Sequence, residues 1–116
     1  MRRAVEINLD KTRHLRFDMM AKANIQSALG KPMHKVFEDI ANIGEYELLN
    51  ILLYGLYGED KTLTLEKVSN ILFECDLLDD EINDKLFEAF AESNGKGDAY
   101  RALKAGIQPI ENEKNQ

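Results

Sequence analysis

From Val5 to Leu9 apolar and polar side chains alternate one by one, with Val5, Ile7 and Leu9 set against Glu6 and Asn8. The alternation returns at Leu15 and Phe17 around Arg16. Period two marks a half-buried strand, so the pattern predicts two strands. The polar run Asp10-Lys11-Thr12-Arg13-His14 between them reads as a loop of several residues, making a β-hairpin over about residues 4–17.

After Asp18 the spacing becomes helical. Ala21, Ile25, Ala28 and Leu29 fall on one face, Asp18 is a good N-cap and Gly30 a good terminator, which predicts a helix from Met19 to Leu29. Pro32 suits the first turn of a second helix, because its missing N–H has no intrahelical partner there. Met33, Val36, Phe37, Ile40 and Ala41 follow at helical spacing up to Gly44. From Glu45 to Tyr57 the chain is apolar on nearly every side, which predicts the central helix, with Leu48, Leu49, Leu52, Leu53 and Leu56 among the most buried side chains. Gly55 inside it costs about 1 kcal/mol of helix propensity, which points to a close backbone approach by a neighbour. Thr64 caps a fourth helix carrying Leu65, Val68, Ile71, Leu72 and Cys75, and Asp79 a fifth carrying Ile82, Leu86, Phe87 and Phe90. Ser93 to Asp98 breaks the pattern, a short helical piece follows over Ala99 to Lys104, and the remainder is polar. The expected architecture is mainly α: a single domain over residues 1–104, with the hairpin followed by four to five helices over 19–104, and a flexible tail at 105–116.

Length and composition fit one domain with a real core. The chain has 116 residues, 44% of them hydrophobic, with five Phe and four Tyr. The net charge of −6 disfavours phosphate backbones and anionic lipid as partners. The charge is uneven: Arg2, Arg3, Lys11, Arg13 and Arg16 outnumber Glu6 and Asp10 at the N-terminal end, so a basic hairpin sits on an acidic body. Such charges on a hairpin also keep an exposed edge soluble. Any contact with DNA is expected to be weak, without sequence preference, and through Arg2, Arg3, Arg13 and Arg16. A single cysteine builds neither a disulfide framework nor a cysteine zinc site. The N-terminus has no apolar signal-peptide core, and the longest hydrophobic run, Ile51 to Tyr54, is too short to span a membrane. A cytoplasmic protein without a membrane anchor is expected.

Candidate chemistry is sparse. His14 and His34 have no second histidine or carboxylate at HExxH spacing, so a metal role would need partners brought together by the fold, and Cys75 lies on an apolar stripe with no basic group within four residues. An EF-hand loop needs oxygen donors at positions 1, 3 and 5 and Gly at 6. Starting at Asp60, position 6 is Leu65; starting at Asp76, positions 3 and 6 are Leu78 and Glu81, so both acidic runs fail. Gly95-Lys96-Gly97-Asp98 lacks the pattern of a phosphate loop and reads as a turn. The expectation is therefore no enzyme, no metal and no cofactor. Tyr46, Tyr54 and Tyr57 with their neighbouring leucines form either core or a protein-binding surface.

The order of short motifs carries more information than any one of them. Leu15-Arg16-Phe17-Asp18 ends the hairpin, Leu29-Gly30-Lys31-Pro32 breaks the first helix, and Leu52-Leu53-Tyr54-Gly55-Leu56 lies in the apolar helix. Glu59-Asp60 and then Leu63-Thr64-Leu65-Glu66-Lys67-Val68 follow. This ordered set, over about Val5 to Leu72, resembles the tail assembly chaperones of long-tailed phages, prophages and gene transfer agents. The resemblance implies a non-enzymatic protein of the bacterial host cytoplasm that binds and solubilises the tape measure protein and hands over to tail tube subunits. It also implies, in many members, a frameshifted longer form; residues after Leu72 have no counterpart in the motif set. A client-binding surface around Tyr54 and Tyr57, and self-association through the same apolar faces, are expected with it.

Two other classes remain. One is a structural tail protein, a tube or completion subunit, which normally contains more strand than one hairpin. The other is a small helical DNA-binding regulator, for which Lys67, Ser69 and Asn70 on the fourth helix are the best recognition residues, beside the unfavourable Glu66 and Glu74.

Overall fold

In a computed structural model, which describes residues 3–75 and 79–106, strands β1 (Val5–Asn8) and β2 (Thr12–Leu15) pair antiparallel, with Val5 opposite Leu15 and Asn8 opposite Thr12. The connecting loop is thus Leu9-Asp10-Lys11, shorter than the five residues expected. Thr12 and Arg13 belong to the strand because the alternation runs through them: Arg13 shares the inward side with Leu15, and the Thr12 hydroxyl donates to Asn8 Oδ1 at 2.9 Å. A buried arginine is invisible to an apolar–polar pattern, and this one made a strand residue read as loop. Val5, Ile7, Leu15 and Phe17 point into the core.

Helix α1 (Met19–Leu29) starts where Asp18 accepts from the Ala21 amide at 2.9 Å. It ends at Gly30, whose φ of 72° lets its amide reach the Gln26 carbonyl. Ala21 and Ile25 are buried and Leu29 half-buried, while Ala28 is exposed. Helix α2 (Met33–Glu38) is shorter than its apolar spacing suggested. Asp39 leaves the helical region and bonds Asn42 through both backbone and side chain, turning Ile40–Asn42 into a 3-10 turn.

Helix α3 (Glu45–Tyr57) is central, and its amino end is tied down by the Glu47 carboxylate accepting from the Gly44 amide. Ile51, Leu52, Leu53 and Leu56 are buried, but Leu48 and Leu49 are only half-buried and Tyr46 is 61% exposed. The first turn of α3 therefore projects beyond the core. Asn50 is buried instead, its side-chain amide donating to the Tyr46 carbonyl.

Helix α4 (Leu65–Glu74) is capped by Thr64, whose hydroxyl accepts from the Lys67 amide, and it packs on α3 with Val68 as its one fully buried side chain. Helix α5 (Asp79–Ser93) begins at Asp79 itself and sets Ile82, Leu86 and Ala89 into the core. Helix α6 (Gly97–Lys104) folds back along α5, with Arg101 on Glu88 and Glu92, and Lys104 on Asp84. It is the short helical piece expected near 99–104. The fold is thus mainly helical, with six α-helices among the described residues behind a two-strand hairpin. Of the expected tail, residues 107–116 lie outside the described residues, as do Arg2 and Asp76.

One cluster of buried side chains runs from Val5 to Ala89. Phe37 is its hinge point: the ring meets Phe17 edge-on at 5.8 Å and Phe87 edge-on at 5.6 Å, and stacks on Phe90 at 4.3 Å between centroids. The hairpin, α2 and α5 are joined there.

Candidate functional site

Two surfaces carry most of the residues that the sequence singled out, and a third lies along α1. The first lies where the hairpin meets the loop between α3 and α4. Arg13 is 5% exposed, and its guanidinium forks onto Asp10, Nε to Oδ1 at 2.7 Å and Nη2 to Oδ2 at 2.9 Å, with Nη1 3.4 Å from Asp60 Oδ2. Next to it the His14 amide donates to Glu59 Oε1, and His14 Nδ1 lies 2.6 Å from Glu59 Oε2. The side-chain bond from Arg13 holds the Asp10 carboxyl below its usual range, and the bond from His14 does the same for Glu59. Asp60 is held at about 2, first by the Thr62 hydroxyl and amide and then by Arg13. The acidic loop that failed the calcium pattern thus serves the hairpin. Its carboxylates are spent on Arg13, His14 and Thr62.

This arrangement changes the basic end. Arg13 is buried and paired, and Arg3 reaches Asp98 at 3.1 Å. Arg16 is exposed and has no acidic partner among the described residues. Of the regulator residues on α4, Ser69 and Asn70 are exposed, and Lys67 Nζ donates to the Thr62 carbonyl.

The second surface is the tyrosine pair. Tyr54 and Tyr57, one turn apart on α3, stand edge to face with centroids 6.4 Å apart, both half-buried. Lys61 Nζ lies 5.2 Å from the Tyr57 ring centre, within cation–π range. With Met20 and Asn24 of α1 they line a cleft of about 50 Å³. Such a cleft holds a single small side chain rather than a helix. Tyr46 is far from this pair in the helix register and stands exposed at the other end of α3.

The third surface was not anticipated. On the opposite flank of α1 a groove of about 790 Å³ runs between α1, the entry to α2 and the end of α5. Met19, Met33 and Phe90 contribute apolar lining, and Lys22, Lys31 and His34 contribute cationic or titratable groups. Sequence patterning misses a groove of this kind because its walls come from three segments, and none of them is apolar enough to stand out. The one available signal was Met19-Met20 directly after the N-cap, off the buried stripe of α1.

The remaining candidates are scattered. His34 is exposed at this groove and His14 is engaged by Glu59, on another side of the hairpin–helix junction. Cys75 is half-buried at the end of α4. Among the described residues, no group of three or more His, Cys, Asp or Glu side chains is placed to hold a metal ion. No described helix is long and apolar enough to cross a membrane. Phe73 on α4 is 90% exposed and Leu103 on α6 is 56% exposed. No family model, curated protein or solved structure matches the chain.

Proposed function

We propose that the protein is a non-enzymatic tail assembly chaperone of a phage or prophage, which binds the tape measure protein and keeps it soluble until tail tube subunits assemble around it. One observation carries the reading: three of the five motifs on which the resemblance rests meet in one joint, although they lie far apart in the chain. Leu15-Arg16-Phe17-Asp18 lies against Leu52-Leu53-Tyr54-Gly55-Leu56, with the Arg16 amide donating to the Gly55 carbonyl at 2.9 Å. Glu59-Asp60 closes over Arg13 and His14 of the same hairpin. Motifs that share one folded joint support a common signature more strongly than motifs scattered over unrelated surfaces.

The surface chemistry supports a binding role as well. Met19, Met20, Tyr46 and Phe73 leave large apolar side chains in water, and the net charge of −6 favours solubility of a complex with an apolar client. The test is to find whether a tape measure gene neighbours this one and to co-express the two proteins. The client is expected to stay soluble and co-purify when this protein is present and to aggregate when it is absent. Equal solubility without it, together with co-purification with tube subunits alone, would make it a structural tail component instead.

A further inference from the structure

We infer that the groove between α1 and the end of α5 is a docking site for an acidic amphipathic helix. The inference deepens the chaperone reading and rests on it for the source of the client, but its chemistry follows from the groove itself. Charge is the first argument. In a chain where acids outnumber bases 21 to 15, none of the described residues lining this groove is a carboxylate, while Lys22, Lys31 and His34 all line it. Lys31 pairs with Glu47 at 3.3 Å, and Lys22 has no acidic partner among the described residues, where it bonds Asn94 Oδ1 at 3.4 Å.

The cationic character continues past the groove. A second hollow of about 320 Å³ shares Met19 and Lys22 with it and adds Arg16, which is exposed, and Arg3, which is paired with Asp98. Its one carboxylate, Asp18, is already bonded to the Ala21 amide as the cap of α1. A line of positive groups therefore follows α1 from the hairpin to Lys31. Acidic side chains flanking the apolar face of a bound helix would meet this line, and lysines in the same places would be repelled by it.

Apolar contacts and shape supply the rest. Met19 is 78% exposed at the groove's edge and Phe90 is half-buried along its lining, with Met33, 7% exposed, beneath them as floor. Methionine adapts to irregular partners at low cost, which suits a client with a variable apolar face. Helix α1 has 11 residues, so the groove beside it extends for about 16 Å, or three turns of a partner helix presenting apolar groups at i, i+3 or i+4, and i+7. A nucleic acid fits less well, because apolar side chains interrupt the cations and the acidic body repels a phosphate backbone.

The experiment uses two synthetic helical peptides of about four turns, identical in their leucine face, one flanked by glutamates and one by lysines. Binding to the full chain is followed by fluorescence anisotropy, and the bound surface is mapped by amide chemical shifts. The glutamate peptide is expected to bind at least tenfold more tightly at low salt, with the gap narrowing as salt is raised, and with shifts along α1 and at Phe90 and Asn94. Gln26→Glu, at an exposed position in the groove, is expected to weaken the glutamate peptide several-fold and leave the melting temperature unchanged; Lys22→Glu is expected to invert the peptide preference. Equal binding of both peptides, shifts confined to the Tyr54–Tyr57 cleft, or an oligonucleotide binding as tightly as the glutamate peptide would overturn the inference. The tape measure client co-purifying with Gln26→Glu as well as with the wild-type chain would overturn it too, and would leave the chaperone reading standing.

Discussion

Gly55 sits so close to the edge of Phe17 that a Cβ there would lie 2.8 Å from Phe17 Cε1, and 3.0 Å from Leu15 Cδ2. The end of the hairpin runs directly over the backbone of α3, close enough for the Arg16 amide to reach the Gly55 carbonyl. A glycine inside an apolar helix, costly for the helix by itself, is what allows the two elements to touch.

Gly55→Ala is accordingly expected to destabilise. The gain in helix propensity is about 1 kcal/mol, and overpacking a tight contact costs about 1–3 kcal/mol. Phe17 cannot yield easily, because it is 2% exposed and held edge-on by Phe37. The balance is a net loss of up to about 2 kcal/mol, expected towards that upper end in urea unfolding because Phe17 is held in place. Adding Phe17→Leu to Gly55→Ala is expected to cost less than the two single changes summed. A Gly55→Ala chain as stable as the wild type would remove the joint from the explanation of the fold.

Arg13 gives a second prediction, on how a buried cation contributes. Its stem lies in the core side of the hairpin, while its head bonds carboxylates that remain partly in water: the Asp10 and Asp60 side chains are 40% and 27% exposed. Stem and head are separable. Arg13→Ala loses both, with an expected cost of about 1–3 kcal/mol. Arg13→Met keeps the stem and abandons two acids that water still reaches, so it is expected to lose less than Arg13→Ala. Arg13→Lys keeps a charge but not the fork onto Asp10. If Met and Ala prove equally damaging in denaturant unfolding, the guanidinium and not its packing holds the hairpin.

The same residue explains where the sequence was legible and where it was not. The hairpin, α1, α3, α4 and α5 follow from period and caps, since Asp18, Thr64 and Gly30 act locally and signal locally. Gly55 was readable as a close approach because glycine has no other purpose within so apolar a helix. The Arg13–Asp60 and His14–Glu59 contacts were not, because they join residues 47 and 45 positions apart whose types read equally well as a solvated loop. Leu48 and Leu49 were expected in the core because composition alone does not say where a helix outruns its neighbours. The groove along α1 was illegible for a related reason: its character lies in carboxylates that are absent from three separate segments.

The acidic loop also predicts a pH dependence. Asp10, Glu59 and Asp60 all have folded-state pKa values below their ordinary ones, so the unfolded chain binds more protons than the folded chain as pH falls. Their contribution is complete above the ordinary carboxylate range and is lost as pH drops through the folded values, for Asp60 from 3.8 towards about 2. Thr62→Val removes the hydroxyl that does most to hold Asp60 down. Carboxyl titration by NMR is expected to show Asp60 near 2 in the wild type and closer to an ordinary aspartate in Thr62→Val, with acid unfolding of the variant beginning at higher pH. An Asp60 that titrates normally in the wild type would remove the Thr62 hydrogen bonds, and the lesser contribution of Arg13, from this account.

Helix α6 depends on polar contacts where the rest of the fold depends on apolar ones. Its one buried residue is Gly97, where a Cβ would collide with the Glu92 carboxylate, and its largest aliphatic side chain, Leu103, is mostly in water. What holds it is Glu92, 9% exposed, which accepts from Arg101 Nη2 at 2.6 Å and from the Arg3 amide at 2.9 Å, while Arg101 Nε reaches Glu88 at 2.8 Å. One guanidinium thus joins α6 to two acids of α5, and one of those acids ties down the start of the hairpin segment. Removing it leaves the Glu92 carboxylate largely buried with a single donor, which costs about 1–3 kcal/mol. Because α6 contributes so little to the core, that loss is expected to appear as local opening rather than global unfolding. In Arg101→Ala, amide exchange over 97–104 is expected to approach that of an unprotected segment while α3 stays protected; Arg101→Lys, which cannot fork across both acids, is expected to fall between. Gly97→Ala is expected to open α6 in the same way by displacing Glu92. Unchanged protection of α6 in both Arg101→Ala and Gly97→Ala would mean that apolar packing, not this ion cluster, secures the C-terminal helix.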